Sequence, residues 1–461
     1  CGCPPLPGIS MAKLLTLSIL LSLLVPAHTT RTPDCGGILS PSGLSYVAEV
    51  SKPHAETILR QDLMAPTVPD LFLGSPKPSG RNQINSVKVT ELSLSLIPNA
   101  GLRLTIDVDL GITPVMRLSI LADLHVEMNP EGNLELVTSA CKPTVEEMQS
   151  TEEIERHLGD ARCQQTPICL EVSKLLLLPN EQLISLTAQF PITPSCQVQY
   201  LPLAAPVFSE QGITISLQTT FQVAGMAIPL PVSPVPFSMP EPVSSSPSHL
   251  TLAFSEHFYT SLFFALETAG AFNTTIPSPL TTATIAQKIT QVGSLFQEDL
   301  PVILRAVLRS SPGVVLEEGK AALKLFLTIH VGAGSPAFQS FLSVNADISA
   351  GLLLSITDTR MTISTAGMRP SHIREKRGKA ALLEELFLPT IREEVPAQMN
   401  VVLSEGIFLP HVSSFTYTDV SIVIHKVRNK TFKLLPAMFD LKGTQEQCLP
   451  PGSRINQSLL L

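Results

Sequence analysis

From Met116 to Met128 the chain reads MRLSILADLHVEM. Every even position is apolar or small, and the odd positions Arg117, Ser119, Asp123, His125 and Glu127 are polar, with Leu121 the exception. A period of two marks a β-strand with one dry face and one wet face. At 13 residues it is more than twice the usual strand length of about five or six. The preceding segment GLRLTIDVDL (101–110) alternates in the same way through Leu102, Leu104, Ile106, Val108 and Leu110. After it NPEGN (129–133) is turn chemistry, and Leu134 and Leu136 open another strand. The pattern predicts an antiparallel meander of long strands.

The pattern returns in the second half of the chain. LKLFLTIHV (323–331) and VNADISAGLLLSI (344–356) alternate as cleanly, and Leu323 follows Leu102 by nearly half the chain. Two similar domains are the economical reading. Between them MAIPLPVSPVPFSMPEPVSSSPS (226–248) has a proline every few residues and no basic residue, which suits an extended connection rather than a central strand. Helical spacing is predicted in the second half at 255–270, at 281–296 behind capping threonines, and at 381–406 around two prolines. Its counterpart in the first half, TVEEMQSTEEIERHLGDAR (144–162), is acidic and sparsely apolar.

Composition sharpens the picture. The 461 residues hold 31 Lys and Arg against 39 Asp and Glu, a formal charge of −8, and only 15% are charged. Mean hydropathy is +0.28. So few charges in so long a chain imply much buried apolar surface, or a ligand that covers some of it. The acidic balance argues against a nucleic-acid partner. There is no Trp, and 40 residues are Pro.

Met11-Ala12-Lys13 precedes a 12-residue apolar run from Leu14 to Val25, then Pro26 and Ala27. This is the pattern of a secretory signal peptide and is too short to span a bilayer. Residues 1–27 are therefore read as leader and signal, with Cys1 and Cys3 outside the fold, and the product as secreted, with no transmembrane segment. The remaining cysteines are Cys35, Cys141, Cys163, Cys169, Cys196 and Cys448. In an oxidising compartment they allow fifteen pairings, but six are too sparse to make a disulfide scaffold. Sequons at Asn273, Asn429 and Asn456 agree with a secretory route.

Catalytic and metal-binding signatures are missing from the sequence. There is no G-x-S-x-G, H-E-x-x-H, G-x-x-x-x-G-K-[ST] or G-x-G-x-x-G. Histidines such as His125 and His330 stand singly on strands of different domains, and the pairs Glu146-Glu147 and Glu152-Glu153 read as solvated surface. No catalytic residue, metal site or cofactor is assigned.

Three segments, INSVKVTELSLSLIPNAGLRLTIDV (84–108), LTTATIAQKI (280–289) and VPAQMNVVLSEGIFLPHV (395–412), together with the signal peptide and proline-rich joint, resemble the bactericidal/permeability-increasing and lipopolysaccharide-binding protein family, in its long PLUNC branch. The resemblance implies an α+β fold, a boomerang of two tandem barrel-like domains, each a long twisted antiparallel sheet packed on helices, joined by a central sheet. Domains are placed at 28–225 and 249–445, with the linker at 226–248 and a tail at 446–461. It further implies phospholipid or another apolar lipid held in a hydrophobic pocket, in mucosal or innate defence. Leu104, Ile106, Leu118 and Ile120 in the first domain, and Leu325, Leu327, Ile348 and Leu352 in the second, are the expected lining. The alternative is a surface or protein-interaction role with the pocket filled. The family's shared disulfide maps onto Cys141 and Cys169.

Two departures from the family carry expectations of their own. Only a short polar stretch separates Cys141 from Cys169 where the family has a long amphipathic helix, so lipid is expected mainly in residues 249–445. MRPSHIREKRGKA (368–380) is basic and is read as an exposed loop. Residues 31–240 hold 12 Lys and Arg against 21 Asp and Glu, a charge that makes lipopolysaccharide an unlikely ligand.

Overall fold

The computed structural model describes residues 32–64, 84–111, 116–147, 167–230, 239, 248–334, 337–374, 385–411 and 416–425. The signal run, Cys1, Cys3, Cys163, Cys448, Asn429, Asn456, Glu152-Glu153, most of the 226–248 connection, residues 375–380 and the tail lie outside them.

Two meanders carry the fold. In the first half β2 (Val87–Ile97), β3 (Gly101–Leu110), β4 (Met116–Met128) and β5 (Leu134–Glu147) form a four-stranded antiparallel sheet in sequence order. In the second half β12 (Thr274–Thr281), β13 (Pro301–Glu317), β14 (Lys320–Ala333), β15 (Gln339–Thr357), β16 (Arg360–Arg374) and β17 (Ile407–Phe408) form a six-stranded one, also antiparallel and in sequence order. Leu102 and Leu323, the repeat positions, fall on β3 and β14, each the strand that follows the first long one. The expected α+β class with two curled antiparallel sheets and a central sheet is what the chain adopts.

The central sheet draws on both halves. It contains β1 (Cys35–Leu39), β6 (Gln189–Thr193), β7 (Cys196–Pro202), β8 (Val207–Ser209), β9 (Gly212–Val223), β10 (Met226–Ala227) and β11 (Leu250–Phe254). β1 lies between β9 and β11, with Cys35 opposite both Leu217 and Phe254. Buried Asp34 pins this junction: its Oδ1 accepts from Thr219 N at 2.8 Å, its Oδ2 from the Thr219 hydroxyl, and its carbonyl from Ser255 N at 2.8 Å. At Gly36 a Cβ would sit 2.6 Å from Ile215 O and 2.7 Å from Met239 Sδ. Only glycine lets the connecting chain lie that close on the sheet.

Helices close the open edges. α1 (Pro41–Leu63) starts at Ser40, whose hydroxyl accepts from Gly43 N, and has Pro at its first turn. Its charged face runs along β2. Lys52 donates to Thr90 O at 2.6 Å, Glu56 accepts from Val89 N at 3.1 Å, and Arg60 donates to Val87 O at 3.3 Å. On the far edge, α2 (Pro167–Leu175) and α3 (Leu177–Ser185) follow β5. Asn180 of α3 pairs with Leu136 as a strand residue does, accepting from its N–H at 2.7 Å and donating to its carbonyl at 3.1 Å.

The second half repeats the device. α4 (Glu256–Thr268) offers Thr260 to Val314 N at 3.1 Å and Glu256 to Leu316 N at 3.0 Å, on the stretch of β13 that β12 leaves unpaired. α7 (Leu388–Leu403) offers Asn400 to Thr365 N of β16 at 2.8 Å. An unpaired edge is an aggregation template, and here helix side chains occupy part of each outer edge of the two meanders.

The sequence reading needs three corrections. Residues 41–63 form the longest helix among the described residues, and the 3.6-residue spacing of Leu44, Ala48, Ala55, Leu59 and Leu63 is obscured by Pro53. Residues 281–296, expected as one helix, are the end of β12 and two short helices, α5 (Thr282–Ala286) and α6 (Thr290–Leu295). Ile289 between them is extended (φ −126°, ψ 92°), in keeping with a Thr- and Ile-rich segment of weak helix propensity. Residues 368–374, expected in a loop, continue β16, and Arg374 pairs with Asn345.

Candidate functional site

The eight expected lining residues all point inward. Ile106, Leu118 and Ile120 are fully buried, Leu104 nearly so, and Ile106 sits directly across from Ile120. In the second half Leu325 faces Ile348 across the β14–β15 ladder, and Leu352 faces Ala321. Leu121, the exception in the alternating run, stands on the wet face and is 38% exposed. Each sheet thus presents one continuous apolar wall to its helices.

Among the described residues, two voids lie against those walls. In the second half a cavity of about 20 Å³ lies between Leu325, Leu327 and Ala306 on the sheet and Val395 and Met399 on α7, with Phe272 at one side. That is room for about one water-sized sphere. Ile348 and Leu352 do not reach it and pack in the surrounding core.

The larger of these two is in the first half. A cleft of about 350 Å³ opens between Pro41 and Leu44 of α1, Leu94 and Leu96 of β2, Pro98 and Glu210. Its origin is local. Val87 and Val89, where α1 grips β2, are buried, whereas Leu92, Leu94 and Leu96 further along the strand are half-buried. Pro53 lies where the gripping face of α1 ends. It lacks the N–H that would bond Glu49 O, and interior prolines are where helices bend. Leu104 and Ile106 are the cross-strand partners of Leu94 and Leu92, so this cleft adjoins the expected first-domain lining. Sequence reasoning missed Leu44, Leu94, Leu96 and Glu210. The alternation of Leu92, Leu94 and Leu96 is a usable signal, but the helix that faces it is hidden in the sequence by Pro53.

Cys141 of β5 and Cys169 of α2 are joined by a disulfide, with Cα atoms 5.9 Å apart. It fixes α2 against the first sheet. Lys174 bridges Asp62 (3.0 Å) and Glu171 (3.1 Å), tying the same helix to the end of α1. The Glu171 hydrogen bond, with help from Lys174, lowers the Asp62 carboxyl, while burial and Asp62 raise that of Glu171. Cys35 and Cys196 are buried free thiols. Burial pushes the first well above the usual thiol range and the second up to about 11, so neither is poised as a nucleophile.

One buried group has the elements of a hydrolase triad without its geometry. Asp34 Oδ2 lies 3.6 Å from His257 Nδ1, and Ser261 Oγ is 3.5 Å from that same nitrogen. A relay needs the acid and the nucleophile on opposite ring nitrogens, and all three side chains are buried. The set therefore serves to hold α4 to the central sheet. His125 is 3.5 Å from Glu127, and His330 hydrogen-bonds Ser343; the two histidines share no site. Asn273 is exposed in the turn before β12. Among the described residues no group of three or more His, Cys, Asp or Glu could hold a metal ion, and no helix is long and apolar enough to cross a membrane.

Comparison with known proteins places these features in a family context. The profile of the LBP / BPI / CETP family, C-terminal domain, matches residues 192–430. The chain is 61% identical over 444 residues to Protein TENP of Gallus gallus, covering 93% of this chain and 100% of that one. It is 25% identical over 452 residues to BPI fold-containing family B member 2 of Homo sapiens, covering 90% of this chain and 97% of the relative. Among solved structures, the crystal structure of lipopolysaccharide binding protein aligns with a TM-score of 0.49 at 16% identity, covering 89% of this chain and 98% of that one.

Proposed function

The chain belongs to the LBP/BPI/CETP family, and from that premise we propose that it is a secreted, non-enzymatic protein that holds apolar or amphipathic lipid between a curled sheet and its helices, in mucosal or innate host defence. The family is one of lipid binders, generally without enzymatic activity. The observation that carries the reading is the pair of dry sheet faces, long enough to line a tunnel. β15 runs 19 residues, which is about 60 Å at roughly 3.3 Å per residue. Apolar contact of this kind is worth about 25 cal/mol per Å² buried. The apolar run before Ala27 supports secretion.

Leu325 and Leu327 remain the proposed contacts in the second half, reached when α7 shifts away from β14. A second reading is favoured by the size of the cavity there. At about 20 Å³ it is far below the roughly 300–1,000 Å³ of ligand pockets, as expected of a filled barrel whose role has passed to its surface. Mass spectrometry of organic extracts from the purified full chain tests the proposal. Near-stoichiometric lipid, with greater uptake of a long-chain fluorescent probe by Met399→Ala, is the expected result. A chain that carries no lipid and takes up no probe would leave the surface role standing instead.

A further inference from the structure

We propose that the first-half cleft takes a single-chain amphiphile with a cationic head, Glu210 facing that head. This deepens the lipid-binding reading and rests on it. The volume, about 350 Å³, sits at the lower end of the roughly 300–1,000 Å³ typical of ligand pockets, which suits one chain rather than the two of a diacyl lipid. The walls are apolar where a chain would lie: Leu44 from α1, and Leu94 and Leu96 on the half-buried part of β2.

The charge of the cleft has one sign. Among the described residues Glu210 is its one charged lining residue, and no lysine or arginine lines it. The Glu210 carboxylate is exposed and has no hydrogen bond or ion pair among the described residues. The opposing influence is the N-terminus of α1, whose partial positive charge favours anions. It is largely spent, because Ser40 already accepts from Gly43 N and Pro41 has no N–H. A full carboxylate charge therefore sets the preference. In a water-like dielectric, a unit charge about 5 Å from the head attracts an ammonium and repels a carboxylate strongly enough to separate them by about tenfold, and salt weakens the effect.

Calorimetric titration of the full chain with tetradecylamine, 1-monotetradecanoylglycerol and tetradecanoate, each below its micelle threshold, tests this. The amine should bind about tenfold tighter than the carboxylate at low salt, with the glycerol ester between them. Glu210→Gln should bring all three within about threefold, and Glu210→Lys should reverse the order; both changes are at an exposed position and leave the fold intact. Leu94→Trp, or Leu94→Phe if the larger ring disturbs folding, should weaken all three by filling the cleft. Equal affinities in the parent, an order unmoved by the Glu210 variants, or binding indifferent to both Leu94 variants would overturn the inference while leaving the lipid-binding reading intact. If none of the three binds yet lipid co-purifies, the inference alone falls. If none binds and no lipid co-purifies, the reading falls with it.

Discussion

Replacing Asn400 with alanine removes the acceptor that holds both the amide and the hydroxyl of Thr365, 2.8 and 2.9 Å away. Thr365 is 9% exposed, so water does not readily take over. Its hydroxyl can turn to Pro396 O, 3.5 Å away, but its amide has no such second choice. An orphaned buried donor costs about 1–3 kcal/mol, and the expected loss is about 2 kcal/mol. For a cooperative unit of roughly 150–250 residues that lowers the midpoint by about 4–8 °C.

Aspartate distinguishes this contact from its counterpart on the other sheet. Asn400→Asp keeps the oxygens that Thr365 uses and should cost little. Asn180 uses both ends of its amide on Leu136, and Asn180→Asp would set a carboxylate oxygen against a carbonyl 3.1 Å from the lost amide nitrogen. It should be at least as damaging as Asn180→Ala. Thermal melts, with hydrogen exchange followed on peptides containing Thr365 and Leu136, give the readout. Exchange should rise only in the sheet whose cap was removed. An Asn400→Asp loss equal to that of Asn400→Ala, or an Asn180→Asp variant as mild as Asn400→Asp, refutes the argument that these edges are held by the named hydrogen bonds.

Three other outcomes are expected. Serine at Cys141 or Cys169 should cost about 2–5 kcal/mol and lower the yield of secreted protein; a non-reduced peptide map with Cys141 joined elsewhere would contradict this. Burial raises the Glu267 carboxyl above its usual range, and its Oε2 has no hydrogen-bond partner among the described residues. The folded state then binds that proton more tightly than the unfolded state, so the group's unfavourable contribution is full at high pH and fades as pH falls toward the ordinary carboxylate value. Glu267→Gln should accordingly be more stable than the parent at pH 8, with the gap closing toward pH 5 in parallel melts; a gap independent of pH contradicts the assignment. Lipopolysaccharide should bind weakly or not at all at physiological salt, because residues 31–240 carry 21 acidic against 12 basic residues. Submicromolar binding that weakens with added salt would overturn that expectation.

The strands were legible because burial on one face writes itself into the chain at every second residue. β3 and β4 were read to their ends and β14 and β15 through their central parts, and the repeat between them pointed to the two curled sheets. Helices were harder. α1 packs through Leu44, Ala48, Ala55, Leu59 and Leu63, but it also spends Lys52, Glu56 and Arg60 on the edge of β2. Polar residues that answer backbone groups of another strand look like ordinary solvent-facing residues in a linear sequence. The same holds for Asn180 and Asn400. The first-half cleft depends on where α1 and β2 part, a relation between segments as distant in sequence as Leu44 and Leu94, and no local pattern reports it. The expectation that lipid lies mainly in the second half rested on the helix missing between Cys141 and Cys169; α1, outside that interval, gives the first sheet an apolar partner of its own.

The position of β1 has a consequence for the order of events during synthesis. Cys35 emerges early, yet its two neighbours in the sheet, Leu217 and Phe254, are made only after nearly half of the chain has followed it. At about 5–20 residues per second, β1 waits roughly 10–45 s with its backbone unpaired and its thiol uncovered. Cys141 and Cys169 are only 28 residues apart and can meet well before Phe254 exists. In the oxidising lumen that the proposed secretion implies, early closure of that short loop removes two of the thiols with which Cys35 could mispair. The central sheet then seals Cys35 and Cys196 in their reduced state. Among the described strands β1 is made first, yet it is paired on both sides only after β2 to β9 have been made, and a chain that stalls before Phe254 still displays one of its edges to the chaperones.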